Sequence, residues 1–251
     1  MKSTIHRMLG KSGYELHRKD RLGYNSAEQA LAAIPQVRHA TMIADAALIS
    51  LWDMVRHCEQ TGLQGAYVEC GVWKGGAAGM IALANQAYAK EQRPLHLFDV
   101  FDDICEPDPA VDGEKAIAEV AEFTQASGEL KPVKGIYDRF GGAGNADEVT
   151  GLLSRLGYHE ARLHIGWFQD TLPQNEIEKI AILRLDGDWY ASTKICLDHL
   201  YDKVVPGGFV VIDDYGTYEG CRKAVDEFLA TQPRPPYINA VNQDVRYLVK
   251  P

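Results

Sequence analysis

Four aspartates follow two apolar runs of the chain and could together bind a metal ion. Asp186 and Asp188 end the first run, and Asp213 and Asp214 end the second. If the runs are neighbouring strands, their tips lie roughly 5 Å apart. Carboxylates that close repel one another unless a hard cation neutralises them, and an all-oxygen ligand set suits Mg²⁺, Ca²⁺ or Mn²⁺. We predict a magnesium site; the alternative is two separate turn-forming pairs, because Asp-Gly commonly forms turns.

A glycine-rich turn, residues 69–76, follows the first predicted strand and opens a helix. Glycines at such a turn allow the backbone to approach a ligand, and in dinucleotide-binding proteins the helix N-terminus holds a pyrophosphate. This turn instead carries Glu69 two residues before Gly71. An acidic residue there suits a cationic ligand, such as the ammonium and sulfonium groups of S-adenosylmethionine. A purely structural turn is the alternative.

Asp99 ends the second predicted strand, a little over 20 residues beyond the glycine turn. A carboxylate in this position can accept hydrogen bonds from ribose hydroxyls, which favours a nucleoside cofactor. The alternative is a helix cap, although Asp102 and Asp103 could also fill that role.

These features define a reaction. A metal ligated by the aspartates could bind a substrate hydroxyl and lower its pKa, while an unligated carboxylate accepts the proton. The oxygen would then attack the sulfonium methyl group in line, with the reacting atoms about 3 to 3.5 Å apart.

Alternating strands and helices are expected to position these residues. Apolar residues at helical spacing predict a helix over 42–58, with Gly62 as its stop signal. Five buried strands separated by helices predict βαβ units, and thus a parallel sheet with helices on both faces. These strands are residues 66–70, 95–99, 161–165, 181–186 and 209–213. Ligands bind at the carboxyl ends of such strands.

The C-terminal tail predicts a closing hairpin, with strands at 237–241 and 245–249 around the turn 242–244. A parallel sheet that ends in an antiparallel hairpin is typical of class I methyltransferases. The predicted fold is therefore an α/β, class I methyltransferase-like Rossmann sheet flanked by helices. We expect one domain over 1–251, with about 1–40 as an N-terminal arm or lid and 66–251 as the catalytic core.

Composition excludes several other classes of protein. The 251 residues are 46% hydrophobic and 24% charged, as in an ordinary globular protein, and carry a net charge of −9. An acidic surface repels polyanions, so we expect neither nucleic acid nor an anionic membrane as partner. Six basic residues in 2–21 are interpreted as a solvated or subunit-contacting arm. The most apolar stretch, 42–55, contains Asp45 and Asp53, which argues against a membrane span.

The five cysteines are widely spaced, with no Cys-x-x-Cys pair. This pattern indicates reduced thiols rather than a zinc or redox centre, and a cytoplasmic location is expected.

The chain resembles the macrocin O-methyltransferase family, whose members are metal-dependent S-adenosylmethionine enzymes that methylate sugar hydroxyls of natural products. The shared segments span most of 66–220. They are ECGVWKGG (69–76), DVF (99–101), GWFQDTLP (166–173), RLDGDWYAST (184–193), PGG (206–208) and IDDYG (212–216). The Trp-Phe-Gln-Asp-Thr-Leu-Pro and Leu-Asp-Gly-Asp segments are more specific than the glycine turn.

The resemblance implies a role for each candidate residue. Glu69, Gly71 and Val72 would line the methionyl end of the cofactor, Asp99 would hold its ribose, and Trp167 and Phe168 would flank its adenine. Asp186, Asp213 and Asp214 would ligate Mg²⁺. Asp188 would be the general base, with Asp186 or a water relay as alternatives. A homo-oligomer and a small glycosylated acceptor are also implied.

Two other activities compete. A catechol-type O-methyltransferase is possible, because a metal can hold two vicinal oxygens of either a sugar or a catechol. Tyr190 and Lys194 have the spacing found in NAD(P)-dependent short-chain oxidoreductases, but residues 173–189 contain no serine to complete that site. We therefore interpret Tyr190 and Lys194 as the start of a helix.

Overall fold

The structure is a computed structural model that describes residues 27–251. The predicted basic arm at 2–21 lies outside the described residues. Within them, no helix is both long and apolar enough to cross a membrane. All five cysteines are buried and free, as predicted for reduced thiols.

A seven-stranded sheet forms the centre of the molecule. Its strands are β1 (Ala66–Cys70), β2 (Leu95–Asp99), β3 (Ala161–Ile165), β4 (Ile180–Leu185), β5 (Val204–Ile212), β6 (Asn239–Ala240) and β7 (Arg246–Val249). They are ordered β3-β2-β1-β4-β5-β7-β6. β1 to β5 are parallel, whereas β7 runs antiparallel to both β5 and β6. The predicted parallel sheet with a C-terminal hairpin is confirmed.

Helices cover both faces of this sheet. They are α1 (Ala27–Val37), α2 (Asp45–Thr61), α3 (Gly76–Tyr88), α4 (Gly113–Val120), α5 (Ala146–Arg155), α6 (Phe168–Thr171), α7 (Tyr190–Leu200) and α8 (Glu219–Ala230). One core joins α1, α2, α3 and α5 to the first face, and a second core joins α7 and α8 to the other. Successive strand residues, such as Leu183 and Ile182, enter opposite cores because side chains alternate across a strand.

The helix predicted over 42–58 is α2, and its end matches the sequence signal. Gly62 follows the last turn with a left-handed φ of 69°, and its N–H donates to Cys58 O. The start lies three residues later than predicted. Ala44 is extended, and Arg38 Nη1 donates to Ile43 O at 2.6 Å, which holds the preceding segment outside the helix.

Two strands in the C-terminal half differ from their predicted bounds by more than one residue. β5 begins at Val204 rather than at residue 209, because Pro206 and Gly207 form an irregular continuation of the strand instead of a separate turn. Gly207 has a φ of 83°, and its N–H donates to Lys250 O at 2.8 Å. β6 is only two residues long, since Tyr237 is 81% exposed and lies outside the sheet.

Strand register brings the chemistry-bearing residues together at one edge. Glu69 on β1 pairs with Arg184 on β4, and Leu185 pairs with Ile212 on β5. The residues that follow these strands, Asp186 and Asp213, therefore lie side by side. This confirms that the two aspartate-bearing tips are sheet neighbours.

Candidate active site

A cavity of about 630 Å³ opens at the carboxyl ends of the strands. All ten residues predicted from the sequence line it: Glu69, Gly71, Val72, Asp99, Trp167, Phe168, Asp186, Asp188, Asp213 and Asp214. Residues 40–44, between α1 and α2, also line it. The α1 helix before them buries five residues, so this wall of the cavity is attached to the core.

The glycine turn closes tightly onto β4. Asp186 N–H donates to Cys70 O at 2.8 Å, which brings the tips of β1 and β4 into contact. Gly71 has a φ of 87°, and a Cβ there would lie 1.7 Å from Asp186 O. A side chain at this position would overlap the backbone that positions the aspartates, so only glycine fits.

Asp99 holds the glycine turn in place. Its Oδ2 accepts the backbone N–H groups of Val72 and Trp73 at 2.6 and 3.0 Å, and its Oδ1 accepts that of Phe101 at 2.6 Å. Burial raises the pKa of Asp99, while these three amides lower it. The Asp99 carboxylate thus supports the turn through backbone hydrogen bonds and still lines the cavity, at a position where a ribose is predicted from the sequence.

Arg184, which sequence reasoning missed, lies beneath the cavity at the centre of the site. Its Nη1 donates to Glu69 Oε1 at 2.5 Å, and its Nη2 lies 2.8 Å from Asp186 Oδ2 and 2.7 Å from Asp213 Oδ1. The side chain is only 2% exposed. The signal available in the sequence was a pair of opposite charges, Glu69 and Arg184, inside two otherwise apolar strands.

Glu69 has one oxygen left for a ligand. Oε1 pairs with Arg184, but Oε2 is buried and has no hydrogen-bond partner among the described residues. Burial raises the pKa of Glu69 to about 8, and the neighbouring Arg184 opposes that shift. A cationic group placed against Oε2 would favour the ionised carboxylate and satisfy the unpaired oxygen.

Three aspartates form a cluster with metal-binding geometry. Asp186, Asp213 and Asp214 each offer an oxygen, and these oxygens lie within 4.8 Å of one another. Burial raises the pKa of Asp213 to about 7, and burial with the charges of Asp188 and Asp186 raises that of Asp214 well above its usual range. A divalent cation would relieve this repulsion, and three carboxylate oxygens are the hard donors that Mg²⁺ prefers. The residues therefore fit the ion.

Asp188 lies beside this cluster in an unusual backbone conformation. Its φ is 58°, and its N–H donates to Asp214 Oδ2 at 3.2 Å. Burial, followed by the charges of Asp186 and Asp213, raises the pKa of Asp188 well above its usual range. The other non-glycine residues with positive φ, among those described, are Trp73 and Phe101 at the glycine turn and the β2 tip. Strained backbone is thus concentrated at the cavity, as is typical of functional sites.

Aromatic residues form the outer wall of the cavity. Trp189 and Tyr218 pack edge to face with ring centroids 4.9 Å apart, and Trp189 Nε1 donates to Cys105 O at 2.8 Å. Tyr218 Oη donates to Glu119 Oε2 at 2.5 Å, and Lys115 Nζ lies 4.8 Å from the tyrosine ring centroid. This combination of flat rings with charged hydrogen-bonding groups suits a polyhydroxylated ligand.

Tyr190 and Lys194 do not contribute to the cavity. α7 begins at Tyr190, as the helix interpretation predicted. The Tyr190 hydroxyl donates to Glu227, and Lys194 Nζ pairs with Asp198. Both side chains are therefore engaged by other groups outside the cavity.

Comparison with known proteins identifies the family. The family model described as macrocin O-methyltransferase (TylF) matches residues 1–250. The chain belongs to the macrocin O-methyltransferase family. The resemblance predicted from the sequence motifs is thus confirmed.

About a third of the aligned residues of this chain are identical in several related proteins. Mycinamicin III 3''-O-methyltransferase of Micromonospora griseorubida is 34% identical over 197 residues, which are 77% of this chain and 71% of that protein. Demethyldecarbamoylnovobiocin O-methyltransferase of Streptomyces niveus is 33% identical over 190 residues, 76% of this chain and 68% of that protein. The solved structure of the O-methyltransferase NovP has a TM-score of 0.69 at 31% identity, covering 84% of this chain and 82% of that one. The chain is therefore an O-methyltransferase with a class I methyltransferase fold.

Proposed function

We propose that this enzyme transfers the methyl group of S-adenosylmethionine to a sugar hydroxyl of a glycosylated natural product, with Mg²⁺ as cofactor. The observation that supports this most directly is that one cavity is lined both by Glu69, which has an unpaired buried oxygen, and by the cluster Asp186, Asp213 and Asp214. The sugar acceptor is inferred from the family resemblance and from the two relatives, whose names specify O-methylation of mycinamicin III at its 3'' position and of demethyldecarbamoylnovobiocin.

The cofactor would lie across the tips of β1 and β2. Glu69 Oε2 would accept a hydrogen bond from the methionyl ammonium, and Gly71 and Val72 would allow the backbone to approach the methionyl chain. Asp99 would face the ribose while its backbone bonds keep the turn in shape. Trp167 and Phe168, both at the cavity, would flank the adenine ring.

Asp186, Asp213 and Asp214 would hold Mg²⁺, which when bound lowers the pKa of a ligated hydroxyl. Asp188 is the proposed general base, because it lies in the cavity beside these three residues and its raised pKa favours proton uptake. The substrate hydroxyl, after passing its proton to Asp188, would accept the methyl group that S-adenosylmethionine supplies when bound, with S-adenosylhomocysteine as the other product. Trp189 and Tyr218 would exclude water from the acceptor side.

The test is methyl transfer from radiolabelled S-adenosylmethionine to a panel containing glycosylated macrolides, glycosylated aminocoumarins, their aglycones and simple catechols. We expect label only in glycosylated acceptors, and loss of turnover with EDTA that excess Mg²⁺ restores. Transfer to catechols but not to glycosides would contradict the sugar assignment. Turnover unaffected by EDTA would contradict the metal.

A cytoplasmic location and a homo-oligomeric state belong to the same proposal. The five free, buried thiols support a reducing compartment. Light scattering after size exclusion tests the oligomer, because a mass of one chain, 27.8 kDa, would contradict it.

A further inference from the structure

Arg184 connects the two halves of the site that the proposed function assigns to cofactor and metal. It is a fully buried arginine in a strand whose other residues are apolar. We propose that Arg184 is a positioning residue that fixes Glu69 for the cofactor and Asp186 and Asp213 for the metal, so that one guanidinium orients both ligand sites. This inference rests on the proposed function.

The two terminal nitrogens of the Arg184 guanidinium contact different ligand sites, one the proposed cofactor site and the other the proposed metal site. Nη1 of Arg184 donates to Oε1 of Glu69, while Nη2 forms ion pairs with Oδ2 of Asp186 and Oδ1 of Asp213. Each carboxylate uses one oxygen in these contacts and keeps the other. For Glu69 the remaining oxygen is the buried, unpaired Oε2. Arg184 therefore determines which oxygen of each carboxylate is available to a ligand.

Only arginine has the geometry for this role. Its planar guanidinium presents donors in a rigid fork, so fixing one carboxylate also fixes the direction of the donors that hold the others. A lysine supplies a similar charge from a single nitrogen on a flexible stem. It could neutralise the carboxylates, but it would not hold three of them in a defined orientation.

Stability alone does not account for this arrangement. A buried ion pair is often replaceable by apolar residues without loss of stability, because taking the charges out of water is costly. Here Glu69 Oε2 and Arg184 Nε are both buried without a hydrogen-bond partner among the described residues. Both residues line the cavity. Unpaired atoms at a ligand cavity indicate a network completed by the ligand.

Arg184→Lys tests the inference through binding rather than turnover. S-adenosylhomocysteine affinity is measured by calorimetry, and metal affinity by electron paramagnetic resonance of Mn²⁺. We expect both dissociation constants to rise by at least about tenfold, the range found for residues that orient metal ligands. Unchanged affinity for both ligands in the folded variant would overturn the inference, as would weakening of only one.

Arg93 provides a matched control. It is also a shielded arginine, 14% exposed, and its Nη1 donates to Leu63 O and Gly65 O while its Nε pairs with Glu59. These contacts lie at the amino end of β1, opposite the cavity. Arg93→Lys is expected to lower the melting temperature while changing both dissociation constants by less than about twofold, as distant sites act independently. Equal effects of the two variants on binding would assign Arg184 a general stabilising role.

A measurement on the wild-type chain covers the case in which Arg184→Lys does not fold. In protein labelled with ¹³C and ¹⁵N arginine, the Arg184 Nε resonance is followed by NMR. Addition of S-adenosylhomocysteine alone and of Mg²⁺ alone should each shift this resonance, with the Arg93 resonance unmoved. A resonance that responds to neither ligand, or to only one, would overturn the inference.

The outcomes separate this inference from the proposed function. If the wild-type protein binds no S-adenosylhomocysteine, the cofactor assignment is contradicted. If it binds no Mn²⁺, the metal site is contradicted, and with it the proposal that Arg184 orients both sites. Wild-type protein that binds both, with Arg184→Lys binding both equally well, contradicts only the role of Arg184.

Discussion

The backbone N–H of Val72 donates to Asp99 Oδ2 at 2.6 Å, which ties the tip of β1 to the tip of β2. Trp73 N–H shares the same oxygen. The residue expected at a ribose is thus also the support of the turn expected at the methionyl chain. The shape of the cofactor end consequently depends on one carboxylate.

Asp99→Asn tests this support. The new amide has one acceptor oxygen, so its nitrogen faces either Phe101 N–H or the N–H groups of Val72 and Trp73 without accepting them, and the free energy of unfolding should fall by about 1 to 3 kcal/mol. Affinity for S-adenosylhomocysteine should fall with it. Chemical denaturation and calorimetry measure the two effects. Asp170→Asn, at an exposed aspartate, should change stability by less than about 0.5 kcal/mol. Weakened binding with unchanged stability would assign Asp99 to the ribose alone.

Asp213→Asn tests the metal cluster. Its carboxamide keeps one oxygen for Arg184 but loses the charge that attracts a cation, so Mg²⁺-dependent turnover should be abolished. Binding of S-adenosylhomocysteine should remain largely intact, because Glu69 still holds its bond to Arg184. The assay compares turnover with and without EDTA. A variant with wild-type activity in the presence of chelator would remove Asp213 from the metal site.

Asp188→Asn tests the general base without disturbing the backbone. Asparagine tolerates the left-handed φ of 58° at this position, so the substitution removes only the charge. Loss of general-base catalysis should lower kcat by about 10²- to 10⁴-fold, with cofactor affinity retained. The acidic limb of the pH–rate profile, which reports deprotonation of the base, should also flatten in the variant. If kcat is nearly unchanged, the proton is accepted by Asp186 or by water.

Most of the fold could be predicted because its signals are local. β1, β2 and β3 have the predicted bounds, since each is a short strand bounded by residues that do not continue it. Pro206 and Gly207 precede the predicted start of the strand at residue 209, yet Lys250 supplies a backbone partner and β5 includes them. That partner lies more than 40 residues away, and no local pattern encodes it.

For the candidate site, the residues that reach the cavity could be predicted, but their contacts with one another could not. Residues at strand ends, including Asp186 and Asp213, converge because parallel strands share one edge. The pairing of Glu69 with Arg184 depends on β1 and β4 being neighbours, although the two residues are 115 positions apart in the sequence. The backbone bonds of Asp99 likewise join separate strand tips. Sequence order therefore indicates which residues reach the cavity, while register determines which of them touch.

His96 on β2 and His164 on β3 contact each other. His96 Nδ1 lies 2.9 Å from His164 Nε2. Burial, followed by the charges of His164 and Arg162, lowers the pKa of His96 to about 4 from 6.5. His96 is protonated below about pH 6.5 in the unfolded chain, but only near pH 4 in the folded chain. The pair therefore stabilises the fold fully above pH 6.5 and loses that contribution between pH 6.5 and 4.

Urea unfolding at pH 7, 6 and 5 measures this contribution. His96→Asn should lose less stability than wild type between pH 7 and 5, by at most about 1.4 kcal/mol per pH unit for one proton. Comparison between variants is needed because the buried carboxylates with raised pKa contribute the opposite slope. His159→Asn, at an exposed histidine, should keep the wild-type slope. Identical slopes in all three proteins would contradict the lowered pKa of His96.

Calorimetric titration with S-adenosylhomocysteine, set beside NAD and NADP, tests the central claim most directly. A cavity with an unpaired carboxylate oxygen at Glu69 and a turn held by Asp99 predicts micromolar binding of S-adenosylhomocysteine and no heat from either dinucleotide. Binding of NAD or NADP without binding of S-adenosylhomocysteine would contradict methyl transfer as the chemistry of this site.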